Sequence, residues 1–148
     1  MDSNSFKTQA VNLKTIQKSW FVVNADNKVL GRISSEIVKI LRGKNRSFFT
    51  PNFDCGDYVI VINSDKIKLT GKKWREKKYI RHTGYPGGQR ETTPLKLKED
   101  KSSKFIVENA VKGMLPKNRL GRKLFNNLFV YENDSHPHEG QNPKEIEV

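Results

Sequence analysis

The first clear pattern along the chain is an apolar run followed by an amphipathic segment. Residues 20–23 are apolar and partly β-branched, and turn-prone residues follow at 24–27, which predicts a short first strand. Gly43 stands where a left-handed residue often ends a helix, so we predict a helix over residues 30–42. From Leu30 the spacing is helical, with an apolar side formed by Ile33, Ile37, Val38, Ile40 and Leu41.

A second apolar run, at residues 58–62, shows no alternation with polar residues. A strand of this kind is buried on both faces, as in a parallel sheet covered by helices. The order of strand, amphipathic helix and doubly buried strand is typical of a right-handed crossover unit. The sequence therefore predicts an α/β fold.

The remaining chain carries weaker patterns. Residues 67–70 predict a short strand, and Thr93 followed by Pro94 is typical of a helix N-terminus. A further helix begins near residues 102–103, and residues 128–131 predict a late strand. The predicted apolar face of that further helix comprises Ile106, Val107, Ala110, Val111, Met114 and Leu115.

The two ends of the chain differ from its centre. Residues 1–19 are polar without a sustained period, and we expect an N-terminal extension that orders on a partner. Residues 20–131 are expected to form the folded domain. Residues 132–148 are acidic and contain proline, so we expect an irregular tail that lies along the same domain.

The charge of the chain indicates a polyanionic partner. It has 28 Lys and Arg against 16 Asp and Glu, a net charge of +12 over 148 residues. Such a surface attracts nucleic acid, because neutralised phosphates release condensed counterions. We find no lipidation signal or polybasic amphipathic helix that would favour a membrane. The single cysteine, Cys55, excludes an internal disulfide and suits a reducing compartment, so we expect an intracellular protein whose place in the cell depends on its partner.

Two basic segments are the strongest candidates for chemistry. Between residues 66 and 90, nine Lys and Arg are opposed only by Glu76 and are interleaved with Trp74, Tyr79, His82 and Tyr85. Cations mixed with flat rings can bind phosphate and stack on exposed RNA bases. The alternative is an ordinary surface hairpin whose rings partly cover the core. The second segment, residues 112–123, contains Lys112, Lys117, Arg119, Arg122 and Lys123.

Enzymatic and metal-binding interpretations are weaker. Residues 71–73 resemble a phosphate-binding loop, but Lys73 stands where that motif needs Ser or Thr and Lys66 where it needs glycine. No G-x-G-x-x-G sequence follows a strand. One cysteine and the pair His136 and His138 do not make a structural zinc site. We predict no catalysis, no cofactor and no bound metal.

Specific strings add a family resemblance. They are Leu-Gly-Arg at residues 30–32, Leu-Arg-Gly-Lys at 41–44, Leu-Thr-Gly-Lys-Lys at 69–73, the run 81–88 and the run 111–122, which contains Gly-Met-Leu-Pro. Together they closely resemble the family of the thirteenth protein of the bacterial large ribosomal subunit. The resemblance covers residue 20 to the end and implies a three-layer α/β fold with a mainly parallel four-stranded sheet. The N-terminal extension is longer than the family's usual start.

The resemblance further implies a structural, non-enzymatic protein of the cytoplasmic ribosome that binds large-subunit ribosomal RNA early in assembly, beside neighbouring ribosomal proteins. Two other classes stay open, a free RNA-binding translational regulator and an RNA-modifying enzyme. We expect residues 72–81 to contribute more affinity than residues 117–123, since they combine charge with rings. The candidate RNA-binding residues are Arg32, Arg42, Lys44, Arg46, Lys68, Lys72, Lys73, Trp74, Arg75, Lys78, Arg81, His82, Tyr85, Lys112, Lys117, Asn118, Arg119, Arg122 and Lys123.

Overall fold

A computed structural model describes residues 11–12 and 16–146 of the chain. Most of the expected N-terminal extension, at residues 1–10 and 13–15, and the last two residues of the tail lie outside the described part. The strands are β1 Trp20–Asn24, β2 Tyr58–Ile62, β3 Tyr79–His82, β4 Gln89–Thr92, β5 Leu128–Val130 and β6 Lys144–Ile146. The helices are α1 Leu30–Arg42, α2 Lys73–Glu76, α3 Pro94–Asp100, α4 Ser103–Met114 and α5 Arg119–Phe125.

The main sheet has four strands in the order β5-β2-β1-β6, all parallel to their neighbours. Trp20 pairs with Tyr58 and Val23 with Val61, so α1 connects two adjacent parallel strands. The predicted crossover and the predicted parallel sheet are confirmed. Strands β3 and β4 form a separate antiparallel hairpin.

The two faces of the sheet are covered differently. Val23, Val59 and Val61 point to the face that packs against the apolar sides of α1 and α4. On the other face, Val22, Ile60 and Ile62 are buried beneath a layer of rings. Trp20, Tyr58, Phe129 and His138 stack there, with centroids of neighbouring rings 4.4–5.5 Å apart. The tail that supplies His138 thus helps to form the third layer of the expected sandwich.

The C-terminal end of α1 lies against the loop that precedes β2. Gly43 has the predicted left-handed conformation, with φ of 72°. A Cβ at Gly56 would lie 1.7 Å from the carbonyl oxygen of Leu41, so only glycine permits this backbone contact. The contact fixes the direction in which the cations after α1 leave the domain.

Three local predictions are wrong. Residues 67–70 form no strand, only an isolated bridge between Lys68 and Val29. Residues 144–146 of the tail form β6 on the edge of the sheet, although the rest of the tail is largely irregular. Met114, placed on the apolar face of the second long helix, is 45% exposed, because α4 ends there.

Candidate nucleic-acid interface

The α4–α5 patch, defined as Lys112, Lys117, Asn118, Arg119, Arg122 and Lys123, is built on a rigid turn. Oδ1 of Asn118 accepts a hydrogen bond of 2.7 Å from the backbone N–H of Gly121 and caps α5. A Cβ at Gly121 would lie 1.8 Å from the carbonyl oxygen of Pro116, so the two backbones touch. Leu115 and Leu124 are buried beneath the turn. The cations of the patch are exposed on this support.

A groove of about 700 Å³ opens beside the α4–α5 patch. Its walls include Lys112, Lys117 and Arg122, and its floor includes Leu115 and Phe125. The ammonium group of Lys112 lies 5.9 Å from the centroid of the Phe125 ring, within cation–π range. The groove therefore combines positive charge with apolar surface, which suits nucleotides.

The hairpin patch, defined as Lys68, Lys72, Lys73, Trp74, Arg75, Lys78, Arg81, His82 and Tyr85, surrounds α2 and the β3–β4 hairpin. Its turn is tied by hydrogen bonds from the N–H of Gly84 to Nδ1 of His82, at 2.9 Å, and from the N–H of Gly88 to the carbonyl of Tyr85, at 2.9 Å. Tyr85 is 75% exposed at the tip. Lys78 forms a salt bridge of 2.6 Å with Glu91 of β4.

The rings of this region divide between two roles. Trp74 and Tyr79 are half-buried and pack against the main core, as the hairpin alternative in the sequence analysis expected. Lys98 lies over the Trp74 ring at 6.0 Å, and burial raises the pKa of the Tyr79 hydroxyl. Only His82 and Tyr85 therefore offer exposed rings to a bound RNA.

The four candidate cations on α1 and directly after it are not equivalent. Arg46 donates to both carboxylate oxygens of the buried Asp57, from Nη2 at 2.5 Å and from Nε at 3.2 Å. This bidentate pair holds the guanidinium inside the fold, and the N–H of Ser19 also donates to Asp57. Arg42 lies over the Phe49 ring at 5.8 Å. Arg32 and Lys44 are exposed and, in the part of the chain that the structure describes, form no salt bridge.

Most of the candidate cations have no carboxylate partner. Among residues 11–12 and 16–146, Arg46 and Lys78 are the only candidate residues that form salt bridges. The ammonium group of Lys73 donates to the Thr70 hydroxyl at 3.1 Å, which leaves its charge unneutralised. Unpaired cations on one protein surface create the positive potential that binds polyanions.

The alternative sites named in the sequence analysis have structural roles here. Cys55 is free and buried, and its sulfur lies 3.6 Å from the hydroxyl oxygen of Thr50. His138 forms a hydrogen bond of 2.8 Å with the hydroxyl of Tyr131. Within the described residues, no group of three His, Cys, Asp or Glu side chains could hold a metal ion. None of the described helices is long and apolar enough to cross a membrane.

Some groove residues were missed by sequence reasoning. A second groove, of about 490 Å³, lies on the other side of α4 and includes Lys73 and Lys77. Asn109 and Gly113 line both grooves. A signal for Gly113 was present in the sequence, because a glycine inside a helical pattern lowers helix stability and needs a reason.

The fold and these surfaces define a basic α/β protein with clusters of exposed cations. The family model of ribosomal protein L13 matches residues 18–137. The large ribosomal subunit protein uL13 of Agathobacter rectalis is 50% identical over 141 residues, 95% of this chain and 99% of that protein. The uL13 proteins of Citrifermentans bemidjiense, 48% identical over 142 residues, and Salinibacter ruber, 46% over 147, cover 96% and 99% of this chain and 99% of their own length. This chain belongs to the ribosomal protein L13 family.

The coverage of these relatives bears on the N-terminal extension. Each of the three aligns with at least 95% of this chain, so the shared length includes most of residues 1–19. The expectation that the extension is longer than the family's usual start stays a prediction.

Proposed function

We propose that this chain is a structural constituent of the large ribosomal subunit, which binds large-subunit ribosomal RNA and stabilises its fold during early assembly. The observation that carries the proposal is the set of exposed cations without carboxylate partners in the described part of the chain. Membership of the L13 family, whose relatives are named as large-subunit proteins, supports the same subunit.

The mechanism is architectural. The α4–α5 patch and the hairpin patch lie on different elements, so each can neutralise a different stretch of RNA backbone. Neutralisation reduces the repulsion between the stretches, and the folded domain between the patches sets their separation. Arg119 and Arg122 can grip phosphate oxygens with two donors each, which suits folded RNA better than a point charge does.

The candidate residues divide into contacts and supports. Arg46, Trp74 and Asn118 position the surface, since Arg46 binds Asp57, Trp74 packs on the core and Asn118 caps α5. We assign direct RNA contact to the other candidates, which are Arg32, Arg42, Lys44, Lys68, Lys72, Lys73, Arg75, Lys78, Arg81, His82, Tyr85, Lys112, Lys117, Arg119, Arg122 and Lys123. Neighbouring large-subunit proteins are further partners in the proposed particle.

The test is sedimentation of a cell lysate on a sucrose gradient, with this protein followed before and after a high-salt wash. An integral component travels with the large subunit and stays bound through the wash, because contacts buried in RNA are screened less than surface ones. A protein found in light fractions, or lost at modest salt, would overturn the proposal.

A further inference from the structure

The two grooves beside α4 meet on that helix. Asn109 and Gly113 line both, so the two grooves adjoin at the surface of α4, and we call them together the joined groove. The groove on the α5 side has a volume of about 700 Å³, and the groove on the α1 side has about 490 Å³. One end is bordered by the α4–α5 patch and the other by the hairpin patch.

The joined groove is positively charged, as a binding site for a polyanion must be. Lys73 and Lys77 line one half, and Lys112, Lys117 and Arg122 line the other. No acidic residue lines either half, and none of the five cations has a salt-bridge partner among the described residues. The Asn109 side chain, between the halves, makes no hydrogen bond in the described part of the chain, so its amide is available to a ligand.

The joined groove is lined by apolar residues as well as by cations. Leu69 and Met114 line the α1 side, and Leu115 and Phe125 line the α5 side. An intact RNA duplex presents phosphates and 2′-hydroxyls to a protein, whereas an unpaired strand also presents flat base faces. A basic rim above an apolar floor fits the unpaired strand better.

At two positions in the groove, neither a close contact nor the backbone conformation requires glycine. Gly31 and Gly113 lie in α1 and α4, and a Cβ at either position would meet no atom of the described residues within 4 Å. Neither has positive φ, and alanine is the better helix former at such a position. Each glycine therefore leaves space in the groove that no side chain of the described residues fills.

We propose that one unpaired strand of RNA lies along this joined groove and crosses α4 in direct contact with Gly113. The proposal rests on the proposed function and deepens it, because it adds one strand that runs between the two basic patches, whose cations outside the groove stay available to other RNA segments. The strand's phosphates meet the five cations, its bases lie on the apolar floor, and Asn109 offers its amide to a base edge.

Binding of full-length variants to in vitro transcribed bacterial large-subunit RNA tests the proposal. Gly113→Ala and Gly113→Leu fill the crossing point in two steps, and we expect affinity to fall about tenfold and then further with size. Gly140→Ala is the matched control, since Gly140 also has open space and no positive φ. We expect it to bind like the unchanged protein. Thermal unfolding of free Gly113→Ala should be at or slightly above that of the unchanged protein.

The outcomes separate the inference from the proposed function. If the unchanged protein does not bind the RNA, the proposed function fails. If it binds, and Gly113→Leu binds equally well, only the groove inference is overturned. A loss of affinity that simply follows a loss of folded protein would also overturn it.

A second measurement does not depend on the glycine variants. An iron chelate tethered to Lys77→Cys or to Lys117→Cys generates radicals that cut nearby RNA, and the native Cys55 is buried away from the reagent. We expect cuts from both positions on neighbouring nucleotides of one strand. Cuts in two separate RNA segments would overturn the proposed single strand.

Discussion

The hairpin patch and the α4–α5 patch carry similar charge on very different supports. No residue between 71 and 93 is fully buried, and β3 and β4 pair only with each other among the described strands. The α4–α5 turn instead rests on buried Leu115 and Leu124, with Gly121 in backbone contact with Pro116. One surface is preformed by the core, and the other is attached to the core through Trp74 and Tyr79.

This difference separates two ways of binding a folded RNA. A preformed surface loses little conformational entropy on binding and so keeps more of its contact energy. A two-stranded hairpin is marginally stable by itself and can adjust its shape to a partner before it is fixed. The α4–α5 patch is therefore expected to set the position of the RNA, and the hairpin patch to follow it.

The largest effect should be a loss of stability on changing a residue that supports the α4–α5 patch. In Gly121→Ala the new Cβ meets the carbonyl oxygen of Pro116, a backbone atom, so the turn must shift. We expect a loss of about 2–3 kcal/mol in the free energy of unfolding, measured by denaturant titration. Gly84→Ala is the comparison in the hairpin. Its φ of +91° makes alanine strained, but we expect little change in global stability. Equal losses would contradict the distinction between the supports.

Charge neutralisation compares the patches directly. Changing Lys117, Arg122 and Lys123 to Gln, or Lys72, Arg75 and Arg81 to Gln, removes three cations from each patch. The sequence-based ranking favoured residues 72–81 because of their rings, but two of those rings pack on the core. We now expect the larger loss, beyond about tenfold in RNA affinity, from the preformed α4–α5 patch. Filter binding over a range of salt checks this, and a greater loss from the hairpin variant would restore the earlier ranking.

Removing the exposed ring at the hairpin tip should have a smaller effect, which is limited to RNA affinity. Tyr85→Ala removes a side chain that is 75% exposed, so stability should not change. We expect RNA binding to weaken by about 1 kcal/mol through lost base stacking. Tyr79→Phe is the control, because it removes a buried hydroxyl that has no hydrogen-bond partner in the part of the chain that the structure describes. That variant should bind RNA normally and be at least as stable, and a binding defect in it would argue that Tyr79 also contacts RNA.

The smallest expected effect is an acid dependence of the contact that Asp65 makes with helices α3 and α4. A hydrogen bond from Lys98, followed by one from Ser103, lowers the pKa of Asp65 below its ordinary value of 3.8. The folded state thus favours the carboxylate, and its contribution is present above that value and lost as pH falls through the lowered pKa. Because Asp65 is half exposed, we expect Asp65→Asn to cost only about 0.5 kcal/mol at pH 7 and nothing near pH 2. Thermal unfolding at both pH values tests this, with Asp100→Asn as the exposed control, and a pH-independent difference would contradict it.

The elements with long, regular patterns could be predicted from sequence. Helix α1 buries its apolar side and strand β2 buries both of its faces, and burial decided both structures. Residues 67–70 show the limit of local pattern. Ile67 and Leu69 do pack against the core, but without a neighbouring strand to pair with they form no ladder. Strand β6 shows the reverse, since a polar segment becomes a strand by pairing with the edge of β1.

For the candidate site, the sequence identified which segments carry charge but not which side chains are free. Arg46 looks like its neighbour Lys44 in sequence, but a carboxylate eleven residues later binds it inside the fold. Trp74 and Tyr85 are both rings among cations, and only the packing of α2 on the core distinguishes them. These assignments depend on long-range contacts, which the spacing of residues along a chain does not encode.

The pairing of β6 with β1 also has a consequence for how the chain folds as it is made. Strand β1 emerges early, while the partner on its outer edge is synthesised roughly 120 residues later. At typical rates of about 5–20 residues per second, that edge stays open for several seconds or more. An open edge of apolar strand is a place where chains pair with one another. A nascent chain of this protein therefore needs rapid closure of its sheet, or an early partner, to avoid association with its own copies.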